Sequence, residues 1–166
     1  MLTGRTYAEI YNQFSWNIPE YYNVGVDVCD KWANDKNRLA LIYLAPDGNE
    51  QRYTFRDLKS HSNRLANALA AHDIKKGDRV GILLPQCPET LISHIATYKL
   101  GGIALPLLTL FGSQAIEYRL ENSAAQALIT DIYNLPKIPA IRENLPELKT
   151  FRHTLMQWRV EILNYS

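Results

Sequence analysis

A chain of 166 residues is long enough for one domain with its own core, and at 46% hydrophobic and 21% charged residues it is too apolar to stay disordered. A net charge of +1, with no Lys/Arg run, excludes the strong basic field that nucleic acid or an anionic membrane attracts, and leaves small molecules or proteins as partners. No stretch approaches the roughly 20 apolar residues of a membrane span, the N-terminus has no apolar signal core, and Cys29 and Cys87 are too far apart for a C-x-x-C pair, so the reading is of a cytoplasmic protein with two reduced thiols.

Taken in chain order, Thr6-Tyr7-Ala8-Glu9 fits a capping box and opens a short helix to Phe14. Trp16, Tyr21 and Tyr22 form an aromatic, Pro-containing stretch before a helix expected over 26–33, where Val28 and Trp32 share a face; these are read as core or docking contacts. Runs at 39–45 and 50–55, joined by Pro46-Asp47-Gly48-Asn49, predict a β-hairpin. A second capping box, Thr54 to Asp57, starts a helix whose Leu58, Leu65 and Leu69 keep helical spacing towards His72, and the polar turn Lys75-Lys76-Gly77-Asp78 follows.

A regular alternation then begins: strand 80–84, helix 89–100, strand 103–107, helix 114–122, strand 127–130. The strands are near-continuous apolar runs, as expected where crossover helices cover both faces of a parallel sheet. Pro85 and Pro88 separate the first strand from its helix, Gly101-Gly102 breaks that helix, and Ser113 is the expected N-cap of the next, with Glu117 in its first turn. Beyond Asp131 the pattern weakens. Residues 134–139 read as an extended connection and 140–145 as a short helix; the segment from Phe151 allows an amphipathic helix and offers no obvious next strand. The fold class is α/β, a mostly parallel sheet with helices on both faces preceded by a β-hairpin. Its parts are an N-terminal helical and aromatic segment (1–38), the α/β unit (39–150) and a divergent tail (151–166).

Chemistry is harder to find. A loop that cradles phosphate needs several glycines so that amides can face the anion, and neither Gly77 nor Gly101-Gly102 supplies one; no G-x-G-x-x-G follows the first parallel strand. His61, His72, His94 and His153 lack ligand spacing, so no metal site is expected. Cys87 lies just past a strand end without a His partner and reads as a structural thiol. Asp57, Glu89, Glu117 and Glu121 sit where caps, first turns and solvated faces place carboxylates, and no catalytic residue is assigned.

Tyr53-Thr54-Phe55-Arg56-Asp57-Leu58, then Ser62-Asn63-Arg64-Leu65-Ala66-Asn67-Ala68-Leu69 and Lys76-Gly77-Asp78-Arg79-Val80, resemble the start of the AMP-forming adenylating superfamily. Leu84-Pro85-Gln86-Cys87-Pro88-Glu89, Tyr98-Lys99-Leu100-Gly101 and Leu110-Phe111-Gly112 before Glu117-Tyr118-Arg119-Leu120 are similar to its short- and medium-chain acyl-CoA synthetase branch. The resemblance covers residues 22–149. It implies an incomplete N-terminal subdomain of the adenylate-forming ligase fold, with 39–150 a partial synthetase domain.

Members of that family join a carboxylic acid to coenzyme A through an acyl-adenylate, using ATP and magnesium and releasing AMP and pyrophosphate. Their phosphate loop ending in Pro-Lys-Gly, their acidic ribose-binding motif and the small domain bearing a catalytic lysine have no counterpart in these 166 residues. The implied chain is therefore inactive alone and holds no cofactor alone, with ATP, magnesium and coenzyme A belonging to the intact enzyme. One carry-over is made: the loop matching Phe111 and Gly112 approaches coenzyme A in acetyl-CoA synthetases. A plain strand-to-helix turn, with Gly112 giving the bend and Ser113 the cap, is the competing reading. Residues 151–166 depart from the family pattern, as a frameshifted end would. A non-catalytic interaction module, self-associating through exposed sheet edges, is the alternative to the ligase reading.

Overall fold

Local hydrogen bonds set the first elements of the computed structural model, which describes residue 4 and residues 6–154 and 160–162, those from 150 onward by backbone alone. Thr6 caps α1 (Tyr7–Gln13): its hydroxyl accepts from the Glu9 amide while the Glu9 carboxylate accepts from the Thr6 amide. No residue of α1 is buried. Asn23 caps α2 (Val24–Val28), and a 3-10 turn (Asp30–Trp32) follows. The single helix expected over 26–33 is thus interrupted at Cys29, whose backbone leaves the helical region as its side chain enters the core, fully buried. The core reading of Trp16, Tyr21 and Tyr22 fails: they are 79%, 86% and 58% exposed.

The hairpin forms from β1 (Leu39–Leu44) and β2 (Glu50–Thr54), with Gly48 at φ 85° in the turn. Thr54 then caps α3 (Phe55–Ala71), its amide donating to the Asp57 carboxylate at 2.8 Å and its hydroxyl accepting from the Asp57 amide. The Thr54 hydroxyl and amide together hold the Asp57 carboxyl below the ordinary aspartate range. Leu58, Ser62, Leu65, Ala66 and Leu69 make the buried stripe of α3, three and four residues apart.

Next come β3 (Arg79–Leu83), α4 (Pro88–Lys99), β4 (Ile103–Leu107), α5 (Ser113–Asn122), β5 (Ala127–Asp131), 3-10 turns at Leu135–Lys137 and Pro139–Asn144, β6 (Thr150–Thr154) and β7 (Val160–Ile162). The sheet order is β4-β3-β5-β6-β7, parallel except for the antiparallel β6–β7 pair. Side chains alternate across β3. Val80, Ile82 and Leu84 join α3, α4 and Ile129 of β5 in one core, whereas Leu83 joins Leu107, Leu128, Ile116 and Leu120 of α5 and Ile138, Ile141, Leu145 and Leu148 in the other. Each fully buried aliphatic side chain contributes about 1.5–3 kcal/mol. Gly81 faces α5, where a Cβ would lie 2.9 Å from both Leu120 and Leu128, so this position sets how closely α5 approaches the sheet.

Four expectations change. Residues 134–139 are 3-10 turns instead of an extended link, because Ile138 and its neighbours Ile141, Leu145 and Leu148 must fold back to cover the α5 side of the sheet. Gly112, not Ser113, is the N-cap of α5; Ser113 begins the helix and turns its hydroxyl to the Lys137 carbonyl. Glu117 lies beyond the first turn and accepts from the Asn144 side-chain amide at 2.6 Å. At Thr150–Thr154 the chain is a strand and not an amphipathic helix, since the open edge of β5 offers a ladder of unpaired amides and carbonyls; most of the remaining tail lies outside the described residues.

The N-terminal segment is fastened to this unit by α2. Asn23 donates to the Lys99 carbonyl at 3.0 Å, and the Lys99 ammonium pairs with Asp30 at 2.6 Å and donates to Asn63 at 2.7 Å. Gly25 permits the contact: a Cβ there would stand 2.6 Å from Cγ of Lys99 and 2.9 Å from the Ile95 carbonyl. Gly25→Ala is therefore expected to lower stability by about 1–3 kcal/mol in urea unfolding, since backbone on α4 cannot yield as a side-chain tip can. An unchanged midpoint would mean that α2 does not hold this position in solution.

Candidate functional site

The strand order makes one end of the sheet the place to look. From β3 the chain crosses to β4 on one side and then returns over β3 to β5 on the other, so the connections diverge at the carboxyl ends of the strands, where α/β sheets leave a crevice. Three loops meet there: 84–87 after β3, 108–112 after β4 and 132–134 after β5. Leu108, Leu110 and Tyr133 are 62%, 93% and 75% exposed, an apolar rim.

On the α4 side the rim borders a cleft of about 300 Å³, lined by Leu84, Gln86, Thr90, His94, Pro106 and Leu108 among others. His94 approaches the Tyr98 hydroxyl at 3.3 Å through Nδ1, and burial pushes its pKa down, so the ring is neutral at neutral pH. The Thr90 hydroxyl is spent on the Pro85 carbonyl. Cys87, at the N-cap of α4, lies 3.4 Å from the Thr90 hydroxyl, and burial raises its thiol pKa against any thiolate character. His61 on α3 is likewise pushed down by burial. Among the described residues no group of three or more His, Cys, Asp and Glu is placed to hold a metal ion.

The two residues singled out from the sequence, Phe111 and Gly112, do sit on the β4–α5 loop, and they face different ways. The Phe111 ring turns inward against the α5-side core and carries the Arg119 guanidinium 4.1 Å from its centroid. Gly112 faces out. Its φ of −73° suits any residue, and a Cβ would meet nothing within 4 Å, so neither the backbone nor packing requires glycine here.

Sequence reasoning missed Lys137. Its ammonium crosses from the turn after β5 to the Thr109 carbonyl (2.6 Å) and to the Asn134 side-chain oxygen (2.9 Å). Asn134 is nearly buried and donates in turn to Asp131 at 2.9 Å. No local pattern announces this contact, because Thr109 is 28 positions away; a lone lysine between two prolines reads as a loop.

Because the fold does not need a bare backbone at 112, Gly112→Ser is expected to leave stability unchanged or raise it by a few tenths of a kcal/mol through better capping. Thermal unfolding checks this. A drop above about 1 kcal/mol would show that glycine serves the fold after all.

The family model described as AMP-binding enzyme matches residues 29–164. The mitochondrial acyl-coenzyme A synthetase ACSM3 of Mus musculus is 33% identical over 163 residues, an alignment covering 92% of this chain and 28% of that protein. Acetyl-coenzyme A synthetase of Bacillus subtilis is 36% identical over 157 residues, covering 87% of this chain and 27% of its own length. Among solved structures, an acyl-CoA synthetase of Brucella canis superposes with a TM-score of 0.81 at 31% identity, over 92% of this chain and 29% of that one. An anthranilate CoA ligase in complex with anthranoyl-AMP superposes with a TM-score of 0.72 at 33% identity, over 82% and 26%. The chain thus spans between a quarter and a third of the length of these four relatives. By the extent of these matches the chain belongs to the AMP-binding enzyme family and carries the N-terminal part of an acyl-CoA synthetase fold.

Proposed function

We propose that the chain is the N-terminal scaffold of an AMP-forming acid–CoA ligase and has no ligase activity by itself. The observation that carries the reading is the family match over residues 29–164 together with the acyl- and acetyl-CoA synthetases of Mus musculus and Bacillus subtilis, of which it spans 28% and 27%. In such a reaction the carboxylate attacks the α-phosphorus of ATP and pyrophosphate leaves; the thiol sulfur of coenzyme A then attacks the acyl carbon and AMP leaves. A magnesium ion would accompany ATP. Of this work the chain supplies the sheet and, on the coenzyme A side, the β4–α5 loop with Phe111 and Gly112. What supports the loop assignment is that Gly112 is exposed and unneeded by the fold, as a position reserved for close approach of a ligand would be. Phe111 would act from below, as the packed base of that loop.

The carboxylic acid, ATP and coenzyme A are accordingly partners of the intact enzyme. No helix among the described residues is long and apolar enough to cross a membrane. A reducing compartment, the cytoplasm on this reading, suits the free thiols Cys29 and Cys87.

Purified chain is expected to give no acid-dependent exchange of pyrophosphate into ATP above a protein-free blank. Exchange abolished by omitting the acid would overturn the reading, since the residues needed to bind the triphosphate are not among those described.

A second reading, an interaction module that self-associates, is favoured by the exposure of Trp16, Ile18, Tyr21 and Leu110 and by the open edge of β4. Light scattering across a tenfold concentration series decides it: a growing dimer fraction supports the module, and a constant monomer mass removes it. Pro106 within β4 lacks an amide donor, which weakens edge-to-edge pairing in advance.

A further inference from the structure

The loop offered to coenzyme A has little of its own to hold it. Leu108 and Leu110 are mostly exposed and Gly112 contacts nothing through its α-carbon face. One backbone bond, Phe111 amide to Leu108 carbonyl at 3.0 Å, closes the turn, and the Phe111 ring packs beneath. Both ends of the loop run to one residue. At its start the Thr109 carbonyl accepts from the Lys137 ammonium, and at its end the Ser113 hydroxyl donates to the Lys137 carbonyl at 3.2 Å. Lys137 is fixed in turn by Asn134, whose backbone amide and side-chain amide both donate to Asp131 at the end of β5.

We propose that Lys137 is a positioning residue that holds the β4–α5 loop, residues 108–112, in the conformation that receives coenzyme A. The inference rests on the coenzyme A reading of that loop. Freezing a lysine side chain opposes the arrangement entropically, and two charge-assisted hydrogen bonds in a half-buried setting offset that cost. The ammonium has both bonds committed within the protein, so its task here is to place the loop, and Gly112 is left clear above it. Methionine in its place keeps the aliphatic stem and removes both donors; arginine keeps charge and donors.

The test is amide hydrogen exchange on the whole chain, read at Phe111, together with titration of coenzyme A monitored by the amide signals of 109–113. Lys137→Met is expected to speed exchange at Phe111 at least about tenfold and to weaken coenzyme A binding by a similar factor, while Val80 and Ile82 in β3 exchange as before. Lys137→Arg is expected to stay within about threefold of the parent in both. Unchanged Phe111 exchange in Lys137→Met overturns the positioning role even if the parent binds coenzyme A. Faster exchange with unaltered affinity overturns it as well, because the loop's order would then not matter to the ligand. A parent chain whose 109–113 signals ignore coenzyme A removes the underlying loop assignment, whatever Lys137 does to exchange. Loss of protection throughout β3 in both variants would make Lys137 a residue of the fold alone and would also overturn the proposal.

Discussion

β3 lies between β4 and β5 and must be covered on both faces, and most of the architecture follows from that requirement. Val80, Ile82 and Leu84 point one way and demand α3 and α4; Leu83 points the other and demands α5. With no polar face to spare, the strand cannot lie at a solvent-facing surface, and the crossover to β4 and back to β5 is the arrangement that supplies helices on both sides. Gly81 tightens it from within, bringing α5 against the sheet where any side chain would hold it off. Arg79 at the foot of the strand adds a polar tie, donating to the Ser123 and Ala124 carbonyls at 2.7 Å and fixing the exit of α5 before β5 begins.

The same topology decides where function can reside. Returning over β3 opens the carboxyl end of the sheet, and three loops meet there. Two titratable groups near that end, His94 and Cys87, are driven by burial towards their neutral forms, which suits walls and not reagents. What this part of the molecule provides is shape, backbone placement and one committed cation, Lys137. The chain spans under a third of the length of the relatives reported above.

Much of this was legible beforehand, and the failures have particular causes. The capping box at Thr54 and Asp57 declared itself because two side chains three residues apart satisfy each other's amides, a purely local event. The alternation from 80 to 130 was readable because buried parallel strands are continuous apolar runs. Cys29 broke a helix that its neighbours favoured, since the core claimed its side chain. Gly112 took the cap expected of Ser113 because Ser113 had a distant partner, the Lys137 carbonyl. The strand at Thr150–Thr154 arose from an edge left open by β5, which no pattern within those residues could reveal.

The sequence by itself determined the α/β class, the hairpin, the order of strands and helices through β5, and the family, because periodicity, caps and ordered motifs are short-range properties of a chain. Only the tertiary structure decided that Phe111 faces the core while Gly112 faces out, that the aromatic residues of the N-terminal segment stay exposed, and that Lys137 donates to a carbonyl 28 residues upstream. Those outcomes depend on which distant groups are brought within hydrogen-bonding or packing distance, and that is settled by burying β3 on both its faces.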